Sequence, residues 1–153
     1  MLFGFMKPNK NQQRDERIMK RILEYQNEIS LGLQRHGVAQ AADLSSIDPL
    51  IRRGLIQIVG DIFELTKELT DSTLNILALD TSMVKGFRNA IVHNYGSVDN
   101  IAAFAFMRYC ISKAVKDNTK KVLGELQQIN PVSERTTAAD SSLSSDSSDE
   151  KTD

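Results

Sequence analysis

Between Ile51 and Leu69 the apolar side chains fall at Ile51, Leu55, Ile58, Ile62, Leu65 and Leu69, in alternating steps of four and three. That period lays them along one stripe of a helix, whereas a strand needs alternation by two. A stripe of this kind is stable only when another helix covers it, so the chain is committed to helix-on-helix packing. Val59 and Phe63 widen the stripe, and Asp48 followed by Pro49 supplies a cap and a first helical residue. Gly54 and Gly60 lower helix propensity and are read as points of close approach by a neighbour.

Three further stretches share the period. From Gln12 to Arg35, Ile18, Ile22, Tyr25, Ile29 and Leu33 recur by three or four; Gly37 then offers a C-terminal stop, and His36 suits the negative helix end. A third helix is expected from Thr81 to Tyr95, with Asp80 or Thr81 as cap and Gly96 as its end. A fourth is expected from Asp99 to about Gln128, stopped by Asn130 and Pro131, with Phe104, Met107, Ile111, Val115, Val122 and Leu126 inward. No run alternates as a strand would, and Trp is absent. The expectation is an all-α fold, an up-and-down four-helix bundle over residues 1–130. Residues 131–153 hold Ser, Thr and Asp with little that is apolar beyond Leu143, the composition of a disordered acidic tail.

Charge divides at the same point. The tail carries six acids against two bases, so the overall −1 conceals about +3 on residues 1–130. That surplus permits contact with an anionic polymer without the strongly basic character of a dedicated nucleic-acid binder. One cysteine, Cys110, rules out an intramolecular disulfide and fits a reducing cytoplasm. The apolar start, Met1 to Met6, is too short for a membrane span, and no membrane association is expected.

Helical projection of the third stretch at about 100° per residue separates two faces. Met83, Val84, Phe87, Ala90 and Ile91 form an apolar stripe; Lys85, Arg88, Asn89, His93 and Tyr95 lie opposite, with Val92 among them. This outward face holds an imidazole that titrates near neutrality, a permanent planar cation, a carboxamide and a phenol. Internal transfer at an RNA phosphodiester needs a base for the 2′-hydroxyl, an acid for the leaving oxygen and a cation for the transition state. No metal is called for, and the chain has two histidines and no carboxylate cluster near His93. The residues alone equally fit a solvated helix face.

The run Arg88-Asn89-Ala90-Ile91-Val92-His93-Asn94-Tyr95 resembles the Arg-x4-His-x-Tyr signature of HEPN ribonucleases, most closely the HepT branch, with Gly86-Phe87 before it and Val98-Asp99 after. The resemblance implies a helical bundle in which Arg88 and His93 are catalytic, Asn89 shapes the site and Tyr95 is a polar neighbour. It implies a toxin-antitoxin setting: a homodimer with the two motifs in one cleft, RNA as substrate and no cofactor. It also implies a minimal nucleotidyltransferase antitoxin that silences the toxin by attaching adenylate to Tyr95. The acidic Ser-rich tail and Gly96 depart from the family pattern, which leaves the substrate and the tail's role open.

Cys110, among Phe104, Met107 and Ile111, reads as a small buried hydrophobe rather than a nucleophile. Lys85 and Arg108 are candidates for phosphate contacts and equally for plain surface charge. The serines from Ser141 to Ser148, flanked by acids, are candidate phosphorylation sites in a tail whose plainer role is solubility. A second function class stays open beside the ribonuclease: a non-catalytic dimeric helical subunit that serves a nucleotidyltransferase, with the motif as interface or modification target.

Overall fold

The computed structural model describes residues 9–91 and 98–129. Among these residues the fold is all-helical: α1 (Lys10–Arg35), a 3-10 helix (Ala41–Ser46), α2 (Pro49–Thr66), α3 (Asp71–Leu77), α4 (Thr81–Ala90), α5 (Asn100–Cys110) and α6 (Lys113–Ile129). No helix there is long and apolar enough to cross a membrane. The tail from Pro131 onward, read as disordered from its composition, lies outside the described residues.

α1 starts with a reciprocal cap. The Asn9 side chain accepts from the Gln12 backbone N–H at 2.8 Å, while the Gln12 side chain accepts from the Asn9 N–H at 3.1 Å. Its stripe of Ile18, Met19, Ile22, Ile29 and Leu33 is buried. His36 caps the far end, and Gly37 at φ 66° turns the chain so that the Val38 N–H reaches the Leu33 carbonyl at 2.8 Å. The helix stop expected at Gly37 is therefore present.

α1 and α2 do meet at a glycine, but not at Gly54. A Cβ on Gly32 would stand 2.7 Å from Leu55 Cδ2, whereas one on Gly54 would meet nothing within 4 Å. Gly32 admits a leucine methyl against the α1 backbone; Gly54 faces open space, and Gly60 is buried in α2.

Two expected helices are each shorter than their apolar period. The seam drawn to Leu69 stops being helical at Thr66, whose hydroxyl bonds back to the Phe63 carbonyl at 2.7 Å. Leu69 is buried in the turn that follows, so it keeps the inward position without the helix. Asp15, fully buried on α1, accepts from the Thr70 N–H (3.2 Å), the Thr70 hydroxyl (2.6 Å) and the Thr73 hydroxyl (2.5 Å). That carboxylate gathers the donors at the start of α3, an element absent from the sequence expectation.

The stretch from Asp99 to Gln128, expected as one long helix, is two, broken at Ile111 and Ser112. Ser112 accepts from the Val115 N–H through its hydroxyl and from the Lys116 N–H through its carbonyl. The Cys110 carbonyl accepts from the buried Gln26 side chain of α1 at 3.2 Å, which also donates to Thr119 Oγ1 at 3.0 Å. α5 consequently buries Ala103, Phe106, Met107 and Cys110, with Phe104 only half-buried, and α6 buries Val115, Val122, Leu123 and Leu126.

Asp15→Ala should strand three donors at the α2–α3 joint. The expected loss is about 2–4 kcal/mol in urea unfolding with an unchanged slope; a loss under about 0.5 kcal/mol would show that the joint is held by packing alone.

Candidate functional site

α4 has only ten residues, fewer than an isolated helix needs for stability in water, so tertiary contacts must hold it. Phe87 supplies the main one. Its ring is 2% exposed and lies edge-on to Phe63 of α2 (5.4 Å, 77°) and to Phe106 of α5 (5.2 Å, 88°). Met83, Val84, Ala90 and Ile91 are half-buried against the core that Phe87 belongs to. At the start of the helix, the Asp80 carboxylate accepts from the Ser82 N–H at 2.9 Å and the Ser82 hydroxyl at 2.7 Å. The Ser82 hydroxyl, then the backbone N–H groups, hold that carboxyl below its ordinary value. The Asp80 N–H in turn donates to the Tyr109 phenol oxygen at 2.7 Å, tying α4 to α5, and partial burial lifts that phenol above its usual value.

With Phe87 fixed inward, Lys85, Arg88 and Asn89 face outward and are exposed, as the projection of this helix requires. Arg88 and Asn89 are thus brought side by side at its last turn. Among the described residues, α4 ends at Ala90, and Ile91 caps it by donating to the Phe87 carbonyl at 3.1 Å. Val92, His93 and Tyr95 lie outside the described residues, so the juxtaposition of His93 and Tyr95 with Arg88 is not on view.

Arg88 lies on one edge of a groove of ≈ 460 Å³ between the end of α2, α3 and α4. Lys67 and Lys85 also line it. Lys67 bonds Glu64 at 2.8 Å, and this bond, with a smaller contribution from the Arg88 charge, lowers the Glu64 carboxyl from its ordinary value.

The far border of the motif is held by a residue that sequence reasoning missed. The half-buried Arg52 of α2 donates from Nη2 to the Val98 carbonyl and from Nε to Asn100 Oδ1 at 2.8 Å. Asn100 donates onward to Ser45 Oγ at 2.7 Å, Val98 is buried, and Asp99 caps α5 by accepting from the Ala102 N–H at 2.9 Å. Contacts spanning 46 and 48 residues leave no local pattern, so no sequence signal pointed to Arg52.

Comparison with known family models, curated proteins and solved structures finds no match.

The remaining candidates take ordinary places. Cys110 is 1% exposed, and burial pushes its thiol from 9.0 up to about 12, the opposite of an activated nucleophile. His36 is an exposed helix cap. Arg108 leans over the Phe104 ring at 5.9 Å. Among the described residues no cluster of three or more His, Cys, Asp or Glu is placed to hold a metal ion.

Replacing Arg52 with Met keeps the stem and removes the donors. Hydrogen exchange should then quicken at Val98 to Ala102 by about tenfold or more, a loss of roughly 1.4 kcal/mol of local protection. Exchange unchanged there, with α1 as internal reference, would show the clamp to be idle.

Proposed function

We propose that the chain is an endoribonuclease, the toxin half of a type VII-like toxin-antitoxin pair, acting in the cytoplasm with Arg88 and His93 as its catalytic groups. The observation that carries this reading is the Arg-x4-His-x-Tyr run set at the end of α4. Its Arg88 and Asn89 are exposed, whereas the adjacent Phe87 is locked in the core. In sequence His93 stands five residues after Arg88 and two after Ile91.

In the proposed reaction His93 takes the proton of the 2′-hydroxyl, whose oxygen attacks the neighbouring phosphorus. The bond to the 5′-oxygen breaks, and that oxygen is protonated by an imidazolium, supplied by His93 or by its counterpart in a second subunit. Arg88 grips two phosphoryl oxygens as negative charge builds. Asn89 orients the phosphate, and the reaction draws on no metal. In this reading α1, α2, α4 and the α5–α6 pair form a HEPN-like four-helix bundle. A second copy meets the first around Val92, so that both motifs line one cleft.

Control falls to Tyr95. A minimal nucleotidyltransferase antitoxin would transfer adenylate from ATP to the phenol oxygen with release of pyrophosphate. The attached phosphate would then occupy Arg88 in place of RNA.

His93→Ala should reduce RNA cleavage by about 10² to 10⁴ with helical content unchanged. Arg88→Lys should be severely impaired as well, because lysine keeps the charge and loses the two-pronged grip. Cleavage at the wild-type rate in a folded His93→Ala protein would overturn the catalytic assignment of His93, and no cleavage by the folded wild type would favour the non-catalytic nucleotidyltransferase subunit.

Tyr95→Phe should still cleave RNA and arrest growth in the presence of the nucleotidyltransferase, while the wild type gains the mass of one adenylate at Tyr95. Mass spectrometry of the co-expressed pair reads this directly. Silencing of the wild type with Tyr95 unmodified would mean that the antitoxin acts by occlusion.

A further inference from the structure

The groove beside Arg88 exists because of two local interruptions. α2 stops at Thr66, and α3 runs for only seven residues before Ala78, at φ 54°, swings the chain toward α4. The notch left between these elements has a mixed lining. Leu74, Leu79 and Val84 are half-buried against the core and make an apolar floor; Asn75 is exposed beside them on α3. Lys85 and Arg88 stand on the α4 side, three residues apart on one helix, which sets their Cβ atoms roughly 5–6 Å apart. Among the described residues neither takes part in an ion pair, in contrast to Lys67, which Glu64 engages. Two adjacent cations over an apolar floor match a ligand with two anionic ends and a flat body. The volume of ≈ 460 Å³ lies within the range of roughly 300–1,000 Å³ typical of small-ligand sites.

We propose that this groove is the subsite for one nucleotide of the RNA strand next to the bond that is cut. Its base lies on the floor of Leu74, Leu79 and Val84, and its flanking phosphates lie on Arg88 and Lys85. Among the described residues lining the groove, Asn75 on α3 supplies an amide able to hydrogen-bond the base edge. The inference rests on the ribonuclease reading for the identity of the strand, and it extends that reading from the motif to α3, which the motif does not include. Apolar contact with the base and a salt-sensitive grip on two phosphates together give the subsite its affinity.

The test separates binding from cleavage by using a tetranucleotide RNA with every 2′-oxygen methylated, which leaves no nucleophile for transfer. In a titration followed by amide chemical shifts, the perturbed residues should be Thr66, Lys67 and Leu74 to Arg88. Asn75→Trp, which fills the groove from an exposed position, and Lys85→Glu should each weaken binding about tenfold, roughly 1.4 kcal/mol. Circular dichroism should show both variants folded. Shifts confined to other surfaces, or affinity unchanged in both variants, would overturn the subsite. Equal affinity for 5′-AMP alone would also overturn it as a strand site, because the second phosphate would then contribute nothing. If the wild type cleaves RNA but the groove residues stay silent, the subsite fails and the ribonuclease reading stands. If the tetranucleotide maps to the groove and the wild type cleaves no RNA, the groove stands as a nucleotide site and the ribonuclease reading fails.

Discussion

The edge-to-face seating of Phe87 between Phe63 and Phe106 fixes what α4 can present to solvent. Aromatic pairs in this arrangement contribute about 0.5–1.5 kcal/mol each beyond the area they bury. For a ten-residue helix that contribution decides between a docked element and a frayed one. A ring bound on two sides also sets the rotation of the helix about its axis. One residue on, Arg88 must point away from the core, and Asn89 follows it. The outward chemistry of α4 is thus set by packing on its opposite side. The Tyr109 phenol adds a second constraint by fixing the height of Asp80, and with it the start of the helix, against α5.

Elsewhere the fold is a set of interrupted helices whose joints are closed from a distance. Each break leaves backbone or side-chain donors and acceptors that cannot stay unpaired in the interior. Asp15 gathers the donors of the α2–α3 joint, Gln26 takes the Cys110 carbonyl at the α5–α6 joint, and Arg52 holds the entry to α5. Asn118 likewise donates to the Leu77 carbonyl at the end of α3, at 3.2 Å. All four are polar residues on long helices. The long helices supply packing area and also the polar groups that allow the short ones to stop.

Apolar periodicity made the helical class and the inward stripe of α4 legible, and cap and stop residues did the same for the start of α2 at Pro49 and the turn at Gly37, because each depends on residues within a few positions of one another. The breaks were not legible for the same reason. Leu69 and Val115 keep their inward positions on either side of a joint, so the pattern of apolar residues runs through points where the hydrogen-bond ladder stops. Gly54 and Gly32 make the complementary case. Composition marks both as weak helix formers, but only the position of Leu55 on another helix shows which one is needed small. Of the candidate site, Arg88 and Asn89 stand where their helical phase put them. The groove and the Arg52 clamp are products of tertiary structure and leave no mark in a local motif.

The exposed side of α4 carries two adjacent cations, with the Glu64 carboxylate of α2 as a weaker electrostatic neighbour of Arg88. Lys85 and Arg88 are neighbours of like charge at a spacing that costs an isolated helix about 0.2–0.5 kcal/mol, and among the described residues no carboxylate pairs with either. Surface substitutions of this kind usually change stability by less than about 0.5 kcal/mol, so removing either cation should leave the core intact. The mild repulsion is therefore a local cost that a ligand with two negative charges would reverse. Docking of α4 depends on Phe87 and Tyr109, while its charge pattern is carried by the exposed Lys85 and Arg88. The chemistry of this face can consequently be altered one side chain at a time without disturbing the platform that holds it.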